Sequence, residues 1–356
     1  MQYHFERLRR RILKLRDLDA VLKRRKFRGL RDEFYDRLWA EAAQDVGARF
    51  EKTGELTQIT AGSLRTYLHH SDLMLDDAIT TRVMADKAMT YELIAKLGHP
   101  VPDHCVFSLG EMAKARSFLA RHPGGIVVKP ARGTGGGNGV SVGIRSNEML
   151  NQAARHASSF NSKLLTEPIL EGASLRLLYL DGMFLDAVLR DRPTVIGDGS
   201  STLRQLINGE TRNRLTRKPI VALNPLNMDV DCRSFLQRQK LDLKGRPGAG
   251  QRIAVKNVVN ENAARDNRSV RDAVNPGIIE AGGQLVRNLN VSLAGLDVMV
   301  RDHTAPMQEN GAYFHEVNIG PGLHHHYLIA NRDEGVPVAS RILETMFRRK
   351  MGVIQT

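Results

Sequence analysis

The spacing of apolar and polar residues divides the chain into two parts. Up to about Gly47, apolar residues recur among charged ones at helical spacing, with a break at Gly29. Residues 53–75 are instead rich in Thr, Gly, Ser and His, which indicates a connector with short strands. We therefore predict a separate, mainly helical N-terminal region at 1–80, followed by a larger domain.

Beyond residue 80, short apolar runs that predict strands are mixed with segments of 3.6-residue spacing that predict helices. Ser108 and Glu111 match a capping box at the start of one of these helices. The predicted strands lie at 126–129, 140–144, 164–167, 175–180, 184–189, 295–300 and 313–318. The predicted helices lie at 80–97, 108–121, from 146 onward, at 202–208, within 233–250, and at 277–288 and 336–347. This order of elements is that of an α+β protein.

A glycine-rich loop joins the strands predicted at 126–129 and 140–144. A Walker loop needs Gly-Lys-Ser/Thr followed by a helix, but here Asn138-Gly139-Val140 and a strand follow. A dinucleotide fingerprint also leads into a helix, and its sixth position is Asn138 rather than glycine. Two interpretations remain: a flap whose bare amides cover phosphates, with Lys129 beside it, or a flexible hairpin with a surface lysine.

Three oxygen-bearing side chains occur in the last two predicted strands. Asp297 lies in one strand, and Glu316 and Asn318 lie two residues apart in the next, so the last two point to the same face. Burying two acids and an amide together is costly without a cation. Carboxylate and amide oxygens, completed by phosphate and water, suit Mg²⁺. The alternative is that these carboxylates are structural and hydrogen-bonded.

Composition and charge narrow the classes of function. Cys105 and Cys232 are too few for a disulfide framework, and no apolar run reaches the roughly 20 residues of a membrane helix, so we expect a cytoplasmic protein without a membrane span. The formal net charge is +13, and residues 1–50 hold 14 Lys/Arg against 8 Asp/Glu. Such a surplus suits any anionic partner. Few aromatics interleave with it, so solvated helix faces are favoured over nucleic-acid binding.

Lys87, Lys129, the glycine-rich loop, Asp297 and Glu316-Val-Asn318 occur in this order, and the set resembles the ATP-grasp superfamily of carboxylate–amine ligases. The resemblance covers about residues 80–346. Within the superfamily, the sequence most resembles the ligase modules of cyanophycin synthetase and bifunctional glutathione synthetase. The pieces that carry this resemblance are Asp86-Lys87-Ala-Met-Thr90, Gly98-His-Pro-Val-Pro102, Val195-Ile-Gly-Asp-Gly199, Asn224-Pro-Leu226 and Glu316-Val-Asn-Ile-Gly-Pro-Gly322.

The resemblance implies an ATP-grasp domain at 81–350, in which ATP lies between a small lobe at about 100–165 and a large lobe at about 166–350. It implies ATP and two magnesium ions, or manganese, as cofactors. The implied phosphate and adenine contacts are Lys87, Lys129, the flap residues Gly133, Thr134, Gly135, Gly136, Gly137, Asn138 and Gly139, and the hinge residues Glu167, Pro168, Ile169 and Leu170. The implied ribose ligand is Glu171 or Ser174. The implied catalytic residues are Arg176 and one of Arg190 or Arg192, and the implied metal ligands are Asp297, Glu316 and Asn318.

We expect two further segments, 260–270 and 324–327, to determine specificity. Residues 260–269, with Asn262 and Arg265, depart from the Ser-Thr-Gly-Gly substrate loop of the glutathione-type modules, so we expect a different carboxylate or amine substrate. The segment 321–327 resembles a turn of D-alanine ligases, which implies substrate contacts at Gly322, His326 and Tyr327. Neighbouring histidines in one segment rarely converge on one ion, so zinc binding is disfavoured, and local packing is the alternative.

The implied reaction has two steps. A substrate carboxylate attacks the γ-phosphate of ATP, and an amine then opens the acyl phosphate to form an amide or peptide bond, with release of ADP and phosphate. The expected substrates are small carboxylates and amines, such as an amino acid or a short peptide. Two alternatives remain: a phosphotransferase (kinase) on the same fold, and a non-catalytic protein that binds nucleotide or an acidic polymer. The sequence leaves open whether the chain forms a homo-oligomer.

Overall fold

The computed structural model of the protein describes residues 18–133 and 137–355; the helical pattern predicted at 1–17 lies outside them. The first element is a long helix, α1 (Leu18–Asp45), which continues through Gly29. The predicted break is therefore wrong. A glycine inside a helix costs about 1 kcal/mol, whereas each large apolar side chain contributes about 1.5–3 kcal/mol when buried. The helix buries a stripe of such side chains: Phe27, Leu30, Phe34, Leu38 and Trp39.

The helix α1 shares one hydrophobic core with the C-terminal helix, α10 (Val338–Arg349). A small antiparallel sheet adjoins α1, and the chain's last strand closes one edge of it by pairing with β3. The strands of this sheet are β1 (Arg49–Thr53), β2 (Leu56–Ala61), β3 (Leu64–His69), β4 (Asp72–Leu73) and β16 (Ile354–Gln355). The connector predicted to contain short strands thus forms a sheet. The N-terminal region packs directly on the large lobe.

The helix predicted at 80–97 is two helices, α2 (Ala78–Met84) and α3 (Lys87–Lys96). The interruption has a local cause, because the carboxylate of Asp86 accepts hydrogen bonds from the amides of Ala88 and Met89 and so caps a new helix. The break places Lys87 in the first turn of α3. Its backbone amide donates to the carbonyl of Ala131 at 2.9 Å, which joins α3 to the strand that precedes the glycine loop.

The small lobe is a four-stranded antiparallel sheet with two helices, in the strand order β5-β8-β6-β7. The predicted capping box at Ser108 is wrong: its hydroxyl donates to the Glu111 carboxylate at 3.0 Å, and the helix begins later, after a 3₁₀ turn. The strands are β5 (Cys105–Phe107), β6 (Ile126–Pro130), β7 (Ser141–Ile144) and β8 (Leu164–Pro168), and the helices are α4 (Met112–Arg121) and α5 (Asn147–Ser158). The glycine loop joins β6 to β7, which pair antiparallel as predicted.

The large lobe is built on a five-stranded antiparallel sheet in the order β13-β10-β9-β14-β15, backed by a helix and flanked by a two-stranded ribbon. Its strands are β9 (Ala173–Leu180), β10 (Met183–Arg190), β13 (Asn267–Ser269), β14 (Leu293–Val300) and β15 (Tyr313–Ile319). The ribbon is β11 (Thr194–Ile196) with β12 (Arg252–Ala254), and the helices are α6 (Leu203–Thr216), α7 (Val230–Arg238), α8 (Pro276–Asn288) and α9 (Met307–Asn310). Within the described ranges, no helix is both long and apolar enough to cross a bilayer.

Candidate active site

A cleft of about 820 Å³ lies between the sheets of the two lobes. Its walls come from the start of α3, from β6 and β7 around the glycine loop, from the hinge after β8, and from one face of the large sheet. Most of the residues predicted to bind nucleotide and metal line it: Lys87, Lys129, Gly133, Gly137, Glu167, Pro168, Ile169, Leu170, Ser174, Arg176, Arg190, Arg192, Asp297, Glu316 and Asn318. Residues as far apart in the chain as Lys87 and Asn318 therefore meet in one cavity.

The three predicted metal ligands lie on one face of the large sheet. Asp297 on β14 is the cross-strand partner of Glu316 on β15, and Asn318 pairs with Gly295. Residues paired in an antiparallel ladder point to the same face, and so do residues two apart on one strand. The Asn318 amide nitrogen donates to the Gly295 carbonyl at 3.2 Å, which leaves its amide oxygen as an acceptor. Two carboxylates and an amide oxygen thus share one patch.

Two arginines neutralise Asp297. The Arg176 guanidinium, on β9, donates to both carboxylate oxygens, at 2.5 and 3.0 Å. The Arg190 Nη2, on β10, lies 2.8 Å from Oδ1. Burial alone raises the pKa of Asp297, but the two guanidinium charges outweigh burial and hold it well below its usual range. Asp297 is therefore ionised at neutral pH.

Arg190 is only partly satisfied by the protein. Its side chain is 2% exposed, and its Nη2 also donates to the hydroxyl of Ser174 at 2.8 Å. Its Nε and Nη1, however, have no hydrogen-bond partner among the described residues. Burial lowers the pKa of this guanidinium. A buried cation with two open donors calls for an anionic partner, since buried polar groups are almost always hydrogen-bonded.

Lys87 binds the other predicted metal-binding carboxylate. Its Nζ lies 3.3 Å from Oε1 of Glu316, with the lysine side chain 14% and the glutamate side chain 28% exposed. Burial raises the pKa of Glu316 while the charge of Lys87 lowers it, and the net shift is downward. This pair is more solvated than the pairs of Asp297, so its partners can exchange for a bound ligand at lower cost.

Lys129 belongs to a buried polar cluster beneath the glycine loop. Its Nζ donates to Oε1 of Glu167 at 2.7 Å and to the Tyr91 hydroxyl at 3.3 Å, and it lies 3.1 Å from Nε2 of His315. Burial raises the pKa of Glu167, but Lys129 and His315 outweigh it and hold the pKa far below its usual range. Sequence reasoning assigned Glu167 only a backbone role and missed Tyr91 and His315. The sequence did hold a signal for His315, because this residue directly precedes Glu316, a predicted metal ligand.

The described part of the glycine loop lies against both lobes. Gly133, Gly137 and Gly139 all have positive φ, between 71° and 80°, a region that glycine adopts without strain. A Cβ on Gly139 would lie 2.6 Å from the ring of Phe160, so no larger residue fits there. A Cβ on Gly137 would lie 3.2 Å from the side chain of Val258 across the cleft. Residues Thr134, Gly135 and Gly136 lie outside the described residues.

The hinge positions one of the two predicted ribose ligands in the cleft and not the other. Ser174 lines the cavity, whereas the exposed Glu171 points toward Arg301, with 3.9 Å between their charged atoms, and does not line it. Between them, Gly172 approaches the sheet so closely that a Cβ would lie 2.1 Å from the carbonyl oxygen of Val300. Arg192 also lines the cleft, with its guanidinium 5.3 Å from the ring centre of Phe235.

The residues predicted to bind substrate are not among those that line the cleft. Asn262 is buried and bonds Asn267, and Arg265 donates to the carbonyl of Thr194 at 2.7 Å. His326 is buried with its Nδ1 2.7 Å from the Asp186 carboxylate. The Tyr327 hydroxyl accepts from the amide of Ala339 at 2.9 Å, and Gly322 begins a 3₁₀ turn. The segment just before Asn262 does reach the cleft, through Asn257, Val258, Val259 and Asn260.

The patch fits magnesium carried in with a nucleotide better than a metal held by the protein alone. Within the described ranges, no group of three or more His, Cys, Asp or Glu side chains is arranged to hold a metal ion. The predicted set has only two carboxylates, Asp297 and Glu316, with Asn318 as the third ligand. Mg²⁺ is usually bound by one or two carboxylates plus phosphate oxygens and water, so this donor set matches a metal–nucleotide complex.

Comparisons with known proteins define the class. No family model matches the chain. A solved bifunctional glutathione synthetase from Pasteurella multocida shares the fold with a TM-score of 0.55 at 18% identity, over 87% of this chain and 43% of that one. This is the ATP-grasp fold of two α+β lobes, so the predicted fold is confirmed.

In sequence, the chain is similar to ATP-grasp carboxylate–amine ligases. It is 27% identical over 267 residues to the cyanophycin synthetase of Trichormus variabilis, which covers 74% of this chain and 29% of the relative. It is 25% identical over 278 residues to the glutathione biosynthesis bifunctional protein GshAB of Clostridium perfringens, which covers 76% and 35%. The chain thus spans about a third of the length of these relatives, and its own substrates are a separate question.

Proposed function

We propose that the chain is a cytoplasmic enzyme that joins a carboxylate to an amine at the expense of ATP, through an acyl phosphate. The observation that carries this proposal is the buried Arg190, which lines the cleft with the cross-strand acids Asp297 and Glu316 and has two donors without a partner among the described residues. A guanidinium with two unused donors, next to paired carboxylates, is suited to a phosphate that arrives with a divalent cation.

The proposed reaction has two steps, formation of the acyl phosphate and its opening by the amine. A carboxylate oxygen of the first substrate attacks the γ-phosphorus, and the bond from that phosphorus to the ADP oxygen breaks. The amine nitrogen of the second substrate then attacks the carbonyl carbon of the acyl phosphate, phosphate leaves, and the nitrogen loses a proton to solvent. Both steps build negative charge on phosphate oxygens, which fixed cations stabilise.

The side chains of the cleft have distinct tasks in this scheme. Arg190 and Arg176 hold the transferring phosphoryl group, and Lys87 neutralises a second phosphate. Lys129, fixed by Glu167, places a buried positive charge under the glycine loop. The loop excludes water, which protects the acyl phosphate from hydrolysis. Asp297, Glu316 and Asn318 would hold magnesium, one or two ions, which supplies charge neutralisation to the phosphates when bound.

We propose an amino acid or a short peptide for at least one substrate, because the relatives are named for the synthesis of peptide-like products. Asn257 and Asn260 line the cleft, where their side-chain amides can contact a substrate. These replace Asn262 and Arg265 as the candidates for substrate contact in that segment.

The test is to incubate the protein with ATP, Mg²⁺ and single carboxylates, with hydroxylamine in place of the amine. We expect hydroxamate and ADP in equal amounts, because hydroxylamine traps an acyl phosphate. Arg190→Ala should abolish both, whereas Arg116→Ala, which removes an exposed arginine of α4, should not. A phosphorylated product without hydroxamate would instead identify a phosphotransferase, and no ADP release with any carboxylate would refute the proposal.

A further inference from the structure

A second cavity, of about 790 Å³, lies outside the cleft, where α1, the β1–β2 hairpin and the loop at 223–225 meet. The two cavities share none of their described lining residues. We propose that this N-terminal cavity binds a zwitterionic amino acid or a short peptide with free ends. That this ligand is the amine substrate of the ligase rests on the proposed function, but the binding itself does not.

The charges of the described residues that line the N-terminal cavity are balanced. With neutral histidines, these residues include three basic and three acidic side chains: Arg28, Arg31, Lys52, Asp32, Asp36 and Glu55. A site for a nucleotide or an acidic polymer needs a surplus of positive charge. Equal numbers of both signs instead suit a ligand that carries an ammonium and a carboxylate group.

The cations and carboxylates are not all committed to one another. Lys52 pairs with Asp36 at 2.6 Å, and His70 pairs with Asp32 at 2.7 Å. Arg28, in contrast, has no hydrogen bond or ion pair among the described residues, and it is exposed to the cavity. A guanidinium without a partner among the described residues can bind a carboxylate through two parallel hydrogen bonds.

The base of the N-terminal cavity is apolar and rigid. Phe27, Tyr35, Trp39 and Leu223 line it and are each less than 5% exposed. The indole of Trp39 donates to the carbonyl of His70 at 2.6 Å, which fixes a histidine in the left-handed region at φ 53°. An apolar base with polar groups around its rim, in a cavity of 300–1,000 Å³, is the usual form of a small-molecule site, and this volume suits a peptide better than a single amino acid.

One side chain links a residue of the N-terminal cavity to a residue that lines the cleft. The amide oxygen of Asn224 accepts from Arg31 at 2.9 Å, on the side of the N-terminal cavity. Its amide nitrogen donates to the carbonyl of Asn260 at 3.3 Å, and Asn260 lines the cleft. A ligand on Arg31 is therefore one residue away from a wall of the cleft.

The experiment is calorimetric titration of the whole protein, without nucleotide, with the standard amino acids and the alanyl dipeptides made from them. Each probe that binds is repeated with its amine acetylated and with its carboxyl group amidated. We expect free-ended dipeptides to bind and either blocked form to bind at least tenfold more weakly. Arg28→Ala should weaken binding by a similar factor, while Lys26→Ala, an exposed residue of the same helix, should not.

The cleft variant Glu316→Gln separates this site from the nucleotide site, and it should bind the dipeptides as the wild type does. The proposal is overturned if no probe binds, if Arg28→Ala binds as well as the wild type, or if Glu316→Gln abolishes binding. If one of these results is obtained and the wild-type protein still forms hydroxamate, the binding proposal fails but the proposed ligase reaction stands. Dipeptide binding without any ATP-dependent product would leave the site intact and refute the reaction.

Discussion

Asp297 and Glu316, the two acids among the proposed metal ligands, have different surroundings. This difference yields a prediction that separates structural from catalytic roles. Asp297 neutralises two arginine side chains that are 7% and 2% exposed. Glu316 faces a single lysine, Lys87, in a pair that is partly open to solvent. We consider Asp297→Asn and Glu316→Gln, which preserve size and remove one negative charge each.

The magnitudes follow from burial. Breaking a buried ion pair by removing one partner costs about 3–5 kcal/mol, because the remaining charge is left uncompensated. With an unfolding entropy of about 2.1 cal/mol/K per residue over 356 residues, Tm changes by about 1.3 °C per kcal/mol, so Asp297→Asn should lower Tm by roughly 4–7 °C. A partly solvated pair contributes about 1 kcal/mol or less, so Glu316→Gln should change Tm by roughly 1 °C or less. Removing either metal ligand should cost several kcal/mol of transition-state stabilisation, which is about 100-fold or more in rate.

The assay combines thermal unfolding with Mg²⁺-dependent ADP release at a temperature where both variants are folded. Glu344→Gln, which removes an exposed carboxylate of α10, is the matched control and should change neither quantity. We expect Glu316→Gln to be nearly as stable as the wild type but inactive. The assignment of Glu316 is refuted if this variant keeps its ADP release, and the charge argument fails if Asp297→Asn unfolds at the wild-type temperature.

Three further predictions test other parts of the site. Gly139 has positive φ, and a Cβ there would clash with the ring of Phe160, so Gly139→Val should distort the glycine loop. The affinity for ATP, measured by titration, should therefore fall at least tenfold. The pKa of Glu167 is depressed in the folded state, so its pairing with Lys129 stabilises the protein at pH values above the unfolded pKa of about 4.3. This stabilisation is lost as the pH falls through the lower folded pKa. Urea unfolding should show the loss of stability in acid, and Glu167→Gln should remove this pH-dependent part of the stability. His326→Phe leaves the Asp186 carboxylate buried without its partner, so Tm should fall while the KM of each substrate stays unchanged, whereas a substrate contact at this residue would raise KM.

The shared face of Glu316 and Asn318 could be predicted from the sequence because it depends on alternation within a strand. Glu316 and Asn318 are two positions apart, and the apolar runs around them define strands, so a shared face follows from local geometry. The register that pairs Asp297 with Glu316 could not be predicted, because a β-bulge follows Asp297 on this ladder. Cross-strand register depends on tertiary packing rather than on either strand alone.

Most of the departures from prediction also arise from tertiary contacts between segments that are distant in the chain. Gly29 does not end α1, because the aromatic stripe of that helix packs on a core assembled from distant segments. His326 and Tyr327 match a substrate-binding turn, yet their partners Asp186 and Ala339 come from elements that the local sequence cannot locate. The helix split at Asp86 is the exception, since an aspartate two residues before Ala88 is a local capping signal that helical periodicity concealed.

The charges of the cleft explain why nucleotide and divalent cation should bind together. Among its described residues, six basic side chains and four acidic ones line it, a net charge of +2 with neutral histidine. A nucleoside triphosphate carries about four negative charges near pH 7, so its binding alone would leave an excess of two negative charges in a water-poor site. One divalent cation restores neutrality, and two reproduce the charge of the empty cleft. The buried acids that oppose triphosphate binding are thus the groups that make it depend on the cation, and ATP affinity should rise steeply with Mg²⁺ in the wild type but only weakly in Glu316→Gln.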